Sequence, residues 1–348
     1  MLNSLFVLSS LFPSRAQTTQ KGPISVNLVK PHRKSSLVFL IFIFILLLFI
    51  TTKVQASQYP LEIDNLGHKI TYYASPKRVV VLNQHAIEIM MAIGLEGKII
   101  GTAYLDDEII PEYKEKFEKI NYLSDKYPSQ EVLLNTDPDF VYAGFKSAFG
   151  TNGVGTRDTL QSLGINTYLN IAHNQDDQVN LDSLFADFYD LGAIFGIEDQ
   201  ANDVAKKIRE EIDKVISQIE GIAQPVSVFV YDSGNPPFTA GGWGVPNLIV
   251  ECAGGRNIFF NLPKKWTTVS WEEVVAADPQ VIVLIDAIWS PAEEKKNFLL
   301  ETKAFRDLSA VQNQRFVVLP FTSTTSVVRV PQAIRQCAKA FHPDLFNE

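Results

Sequence analysis

Two cysteines, Cys252 and Cys337, three methionines and five histidines are all that 348 residues hold of soft-metal and redox chemistry. The histidines at 32, 68, 85, 173 and 342 are scattered, whereas a zinc site needs ligands returning at short, fixed intervals. Missing too are a Gly-x-Ser-x-Gly elbow, a Walker loop and a His-Glu-x-x-His helix. Gly153-Val-Gly155 meets Asp158 where a dinucleotide loop would carry its third glycine. No metal, no cofactor and no catalytic residue is therefore expected. Charged residues make up only 20% of the chain and form no basic stripe, which argues against nucleic acid and against an anionic bilayer as partners.

Acidic residues are absent from positions 1–56, which hold Arg15, Lys21, Lys30, Arg33, Lys34 and Lys53. Leu37 to Ile50 is an unbroken apolar run, preceded by Lys30-Pro-His-Arg33-Lys34 and followed by Val54-Gln-Ala56. Basic segment, apolar core and small-x-small site together read as a secretory signal cleaved before Ser57. The run falls short of the roughly 20 residues a membrane span needs. An uncleaved N-terminal anchor is the alternative, and the absence of a nearby cysteine excludes lipid attachment at that site. Beyond the leader, 25 basic residues face 39 acidic ones, a net charge of −14. An exported protein of that charge expects a small or cationic ligand or another protein. The same compartment would permit one disulfide, and two buried thiols are the other outcome.

What the chain does have is an internal repeat. Ser129-Gln-Glu131-Val-Leu-Leu-Asn-Thr-Asp137-Pro138 returns as Ser270-Trp-Glu272-Glu-Val-Val-Ala-Ala-Asp278-Pro279, and each copy runs into an apolar β-rich stretch, Phe140 to Tyr142 and Val281 to Val283. Serine caps a short helix, glutamate suits its positive end, and Asp-Pro ends it before a buried strand. One such unit per half predicts an α/β fold of two similar lobes with mostly parallel sheets, joined by a long helix, with the ligand cleft between them. The expected divisions are residues 57–175, an interlobe pair of helices within 176–223, and 224–348. Leu181 to Gly196 and Asp199 to Glu220 read as those helices. The second carries the stripe Val204, Ile208, Ile212, Val215, Ile216 and Ile219, and is long enough to brace the junction.

Aromatic residues gather at strand ends and in loops. Tyr104 follows one expected strand, Phe145 and Phe149 another, Phe238 and Trp243 sit in a Gly/Pro-rich loop, Trp266 precedes a capped helix, and Trp289 follows Val283-Leu-Ile-Asp286. In open α/β sheets the carboxyl ends of strands frame the ligand crevice, so flat side chains there suit a large, partly apolar ligand. Gln84 and His85 occupy the turn after the first strand, where a helix N-terminus also favours an anion; capping or surface exposure is the plainer role for His85. Lys146 and Arg329 are the cations best placed to meet an acidic ligand. A bare ferric ion would want clustered tyrosines and carboxylates, so a whole chelate fits better.

Taken together, Pro76 to Leu82, Ser129 to Ala143, Asn235-Pro-Pro-Phe-Thr-Ala-Gly241, Asn247 to Phe259, Val269 to Ile285 and Arg315 to Pro320 resemble the solute-binding proteins of ABC importers for iron–siderophore and cobalamin. The resemblance covers about Tyr59 to the end. It implies an extracytoplasmic, monomeric receptor with no chemistry of its own, partnered by a permease. It further implies a Cys252–Cys337 disulfide and a permease-docking glutamate on each lobe, Glu131 and Glu251. A subgroup for a deazaflavin cofactor precursor is similar in Gly101 to Asp106, Leu123 to Glu131 and Gly153 to Asp158; that flat, phosphate-bearing ligand would suit Arg157, Lys146 or Arg329. From other classes come a membrane-anchored ligand-sensing domain, if the leader is retained, and a metallocluster scaffold enzyme, which would require cysteine or histidine ligands.

Overall fold

The computed structural model describes residues 59–346, which lie in a compact unit running from Ser57 to Glu348. The expected signal or anchor in 1–56 lies outside the described residues. The chain enters through a hairpin that the sequence does not announce, β1 (Leu61–Asn65) antiparallel to β2 (His68–Tyr72). Its two-residue turn, Leu66-Gly67, has positive φ at both positions, the geometry that matches strand twist.

The first lobe then alternates as expected: β3 (Val79–Leu82), α1 (Gln84–Ala92), β4 (Ile99–Ala103), α2 (Pro111–Phe117), β5 (Tyr122–Ser124), α3 (Gln130–Leu134), β6 (Phe140–Ala143), α4 (Arg157–Ser162) and β7 (Asn166–Leu169). All five of its sheet strands are parallel, in the order β5-β4-β3-β6-β7. Central strands of such a sheet are covered on both faces, which is why β3 and β6 read as solid apolar runs and are wholly buried.

Two helices follow the short α5 (Ile171–Asn174): α6 (Leu181–Phe195) and α7 (Glu198–Gln218). The turn between them is Gly196, whose φ of 67° ends α6 in a left-handed cap. At 21 residues α7 is about 30 Å long. Ala201, Ala205, Ile208, Ile212 and Val215 are its buried face, and it packs on α6 on one side. Against its other side lie two helices of the second lobe, α8 (Val245–Cys252) and α12 (Val330–Phe341). The helix is thus a rod shared by both lobes. A single apolar layer runs from Ile70 and Tyr142 through Ile212 to Val283 and Phe341, while the outer face of each sheet has its own cluster.

The second lobe contains β8 (Val226–Ser233), β9 (Phe238–Ala240), α8, β10 (Gly255–Asn257), β11 (Trp266–Thr268), α9 (Trp271–Ala277), β12 (Val281–Asp286), α10 (Ala292–Glu301), α11 (Ser309–Gln312), β13 (Phe316–Pro320) and α12. Its sheet order is β11-β9-β8-β12-β13, with β10 also on β8. Here too the sheet is mostly parallel, as expected, through β8, β10, β12 and β13, with an antiparallel edge: β9 runs antiparallel to β8, and β11 to β9. The reason is the short loop Gly234–Pro237, which can turn a hairpin but is too short for a crossover between parallel strands.

The sequence repeat is a structural one. Ser129 Oγ accepts from Val132 N at the start of α3, and Ser270 Oγ accepts from Glu273 N at the start of α9. Each copy then passes through an aspartate with positive φ before the chain enters β6 or β12: Asp278 at 41° is itself the C-cap of α9, whereas Asp137 at 52° follows the Asn135 cap of α3 by two residues.

Candidate functional site

Strand ends of both lobes converge on a cavity of about 330 Å³. The first lobe contributes Asn83 beyond β3, Tyr104 and Asp106 beyond β4, Lys126 and Tyr127 beyond β5, and Phe145 and Ser147 beyond β6; the second contributes Trp289 beyond β12 and Phe321 beyond β13. Asn83 and Tyr104 both hold positive φ, at 76° and 64°. Such backbone is costly for residues other than glycine and is kept where it re-aims a side chain. At Asn83 the return is visible: its Oδ1 accepts from Tyr127 Oη at 3.1 Å and from Phe145 N at 3.3 Å.

The aromatic lining is internally braced. Tyr104 and Tyr127 lie 4.7 Å apart between ring centroids, and Lys126 Nζ sits 4.4 Å over the Tyr104 ring. Trp289 meets Phe321 edge-on at 5.0 Å, yet remains 55% exposed. The loop that carries Trp289 is fixed from behind by buried Lys295, which donates to Ile285 O and to Ser290 Oγ. Burial holds the Asp106 carboxyl up at about 6.

Beneath the cavity, His85 is wholly buried rather than capping or exposed. It lies edge-on to Phe145 at 4.6 Å and to His173 at 4.9 Å. A side chain on Gly144 would fall 2.2 Å from His85 Nε2, so only glycine fits there. Neither ring nitrogen of His85 has a hydrogen-bond partner among the described residues, and desolvation drives its pKa well below the ordinary value. His173 reaches across the lobes to Thr325 O at 2.7 Å, and burial depresses it to about 4. Lys265 crosses the other way, from the second lobe to Ala172 O at 2.8 Å.

Several expected site residues are placed elsewhere. Arg329 is not a free cation facing the cleft: its guanidinium is committed to Glu88 of α1, which also accepts from Ser326 Oγ and Gln84 Nε2. Gln84 is buried in the same network, receiving Asp107 N at 2.8 Å. Lys146 is exposed and lines a neighbouring hollow together with His68 and Arg157. Buried Arg157 is held by Asn65 and Thr167. Phe238 and Trp266 stack on each other at 5.8 Å across the antiparallel β9–β11 pair, away from the cavity lining, and Trp243 sits in a loop where its carbonyl accepts from Val179 N.

Cys252 and Cys337 are free, which corrects the expected disulfide. Both thiols are packed into the apolar layer between α8 and α12, and burial pushes them up to about 11 and about 12, so neither ionises readily. Glu251 stands away from the cleft. The last turn of α8 leads through Gly254 to Gly255, which pairs with Val226 at the start of β8, the end of the sheet remote from the cleft.

Asn83, Asp106, Lys126, Tyr127, Ser147 and Phe321 were not among the expected site residues, although all line the cavity. Asn83 and Phe321 directly follow strands, so the strand-end rule that found Tyr104 would have found them. Tyr127 had no such flag because β5 is only three residues long.

A family model described as periplasmic binding protein matches residues 79–322. An ABC transporter substrate-binding lipoprotein of Bacillus subtilis is 23% identical over 301 residues, 85% of this chain and 90% of the relative. A vitamin B12-binding protein of Yersinia pestis is 27% identical over 225 residues, 62% of this chain and 75% of the relative. A periplasmic binding protein structure from Veillonella parvula matches with a TM-score of 0.74 at 26% identity, covering 81% of this chain and 97% of that one. An ABC-type ferric hydroxamate transport structure from Saccharomonospora viridis matches at 0.68 and 21% identity, covering 82% and 100%. With two thirds of its length inside that one family model and its lobes built to the same plan, the chain belongs to the periplasmic binding protein family.

Proposed function

We propose that this protein is the extracytoplasmic receptor of an ABC importer and binds a metal chelate with a flat, partly apolar face in the cleft between its lobes. The observation that carries the reading is the cavity into which Tyr104, Tyr127, Phe145, Trp289 and Phe321 turn from both sides. Aromatic walls favour a flat ligand, and a few polar groups among them, Asn83, Asp106, Lys126 and Ser147, are of the kind that fix orientation. Relatives named for vitamin B12 and ferric hydroxamate favour a chelate over the deazaflavin precursor. The receptor works as a single copy, hands its ligand to a permease and needs no chemistry of its own. The rod α7, packed on both lobes, limits how far they swing, so affinity comes from a cleft largely formed in advance.

Calorimetric titration of the purified protein with cyanocobalamin, a ferric hydroxamate and haem tests this. Saturable one-to-one binding of one of them at micromolar strength or tighter is expected. Absence of saturable binding for all three removes the reading.

A further inference from the structure

One carboxylate oxygen at the cleft wall is satisfied by none of the described residues. Asp106 Oδ2 is sealed from solvent and has no hydrogen-bond partner among the described residues, and its residue lines the interlobe cavity. No charged or titratable group around it bonds to it. Lys126 lies over the Tyr104 ring, and from there its charge favours the ionised Asp106 without a direct contact. Asp107 accepts from Thr322 Oγ1 at 3.1 Å and lies 3.9 Å from Arg329. The Tyr127 hydroxyl bonds Asn83 and Ser147, and that of Tyr122 accepts from Leu105 N.

A buried acceptor without a donor carries the full cost of its lost hydration, more so when ionised. The backbone around Asp106 is nonetheless held firmly, its own N–H donating to Gln84 Oε1 at 3.2 Å. The side chain therefore stands on a fixed frame at the cavity wall and bonds to nothing among the described residues, so no contact holds its carboxylate in place.

We infer that the occupant of the cleft donates an N–H or O–H to the Asp106 carboxylate, whose side chain turns to meet it, and that Asp106 selects a macrocyclic chelate fringed by neutral donors, such as primary amides, over one fringed by carboxylates. This rests on the reading of the cleft as a chelate site and narrows it. An amide N–H on an ionised carboxylate makes a charge-assisted bond, roughly twice as strong as a neutral one. A ligand carboxylate in the same place would meet like charge at short range, and one of the pair would have to take up a proton.

The test titrates wild type, Asp106→Asn and Asp106→Leu calorimetrically with cyanocobalamin, which carries amides, and with haem, which carries carboxylates. Cyanocobalamin should bind wild type, lose about tenfold in Asp106→Asn and more in Asp106→Leu. Haem affinity should stay level or rise in both variants. Because a donor prefers the ionised carboxylate, wild-type affinity for cyanocobalamin should fall between about pH 7.5 and about pH 5, and this fall should vanish in both variants. Equal affinity of wild type and Asp106→Asn for cyanocobalamin, or wild-type affinity that rises on acidification, overturns the inference. So does wild type binding haem or a ferric hydroxamate but not cyanocobalamin, a result that leaves the cleft reading intact. Wild type binding none of the three removes both. Since the Asp106 side chain bonds nothing among the described residues and is costly to bury, thermal melts of the variants at neutral pH should match or exceed wild type.

Discussion

Arg329 Nε lies 3.1 and 3.0 Å from the two carboxylate oxygens of Glu88, a residue wholly out of solvent on the opposite lobe. The guanidinium also donates to Glu108 O, so one side chain ties α12 to both α1 and the loop beyond β4. A cation that the sequence offers as a ligand contact is in the structure part of the junction. The pair is nearly closed to solvent, and such pairs lose most when one partner is removed and the other stays buried and charged.

Arg329→Ala should therefore destabilise the protein by about 3–5 kcal/mol while changing ligand affinity little. The double variant Glu88→Leu/Arg329→Met, which leaves no orphan charge, should recover most of that loss. Urea unfolding alongside ligand titration separates the two effects. A large affinity loss in a protein of unchanged stability would return Arg329 to the ligand.

How far such contacts could be read from the sequence depends on their span. The rod α7 was legible because its stripe repeats every three or four residues, and the two Ser-to-Pro copies were legible because each is a local unit of cap, helix and strand. Glu88 and Arg329 are 241 residues apart, and nothing local to either announces the other. The pairing of Cys252 with Cys337 was implied by resemblance, whereas in the structure both are free, buried thiols of the apolar layer. Three-residue strands such as β5 and β9 carry too few side chains to show a period, so the tyrosine beyond β5 and the antiparallel edge went unread.

The tryptophans divide in the same way. Trp289 lines the cavity and is still 55% exposed, so its ring has surface left for a ligand to cover. Trp266 already stacks on Phe238, with 15° between the ring planes, on the edge strands β9 and β11 outside the cavity. Trp289→Ala should weaken binding by about tenfold, consistent with about 1.4 kcal/mol for a lost aromatic contact, with little change in melting temperature. Trp266→Ala should do the reverse, costing about 2 kcal/mol of stability and sparing affinity. Calorimetric titration and thermal melts of both variants check the assignment, and it fails if Trp266→Ala is the variant that loses ligand.

His173 should make the junction sensitive to acid. Its folded pKa is held at about 4, below the usual value of 6.5, chiefly by burial. As pH falls through 6.5 the unfolded chain takes up a proton that the folded one refuses, so stability is present at neutral pH and is lost progressively down to about 4. His85, depressed in the same direction and 4.9 Å away, adds to the slope. His173→Gln, which can still donate to Thr325 O, should show a smaller drop in melting temperature between about pH 7 and about pH 4.5 than wild type does. Identical slopes in the two proteins would mean that other groups set the acid limit.

The surface that meets the permease can be argued from the repeat. Glu131 is the second residue of α3 and Glu272 the second residue of α9, each one turn position past a capping serine. Both are exposed, and neither carboxylate bonds to anything among the described residues. The neighbouring Glu273 cannot play that part, because it is occupied in the capping box with Ser270. Each helix leads back to the start of a parallel strand, β6 or β12, whose far end borders the cleft. Their first turns therefore stand on the cleft side of each lobe, where a permease would meet both at once. Glu251, at the opposite end of its sheet, has its carboxylate accepting from Asn247 Nδ2. Glu131→Lys and Glu272→Lys should each slow ligand-dependent ATPase stimulation of the cognate importer in liposomes, and the double variant should abolish it, with ligand affinity unchanged. Charges at a contact rim act mainly on association rate, so the single-variant defects should shrink as salt is raised. Glu251→Lys should behave as wild type; if it alone abolishes stimulation, the docking face lies elsewhere on the second lobe.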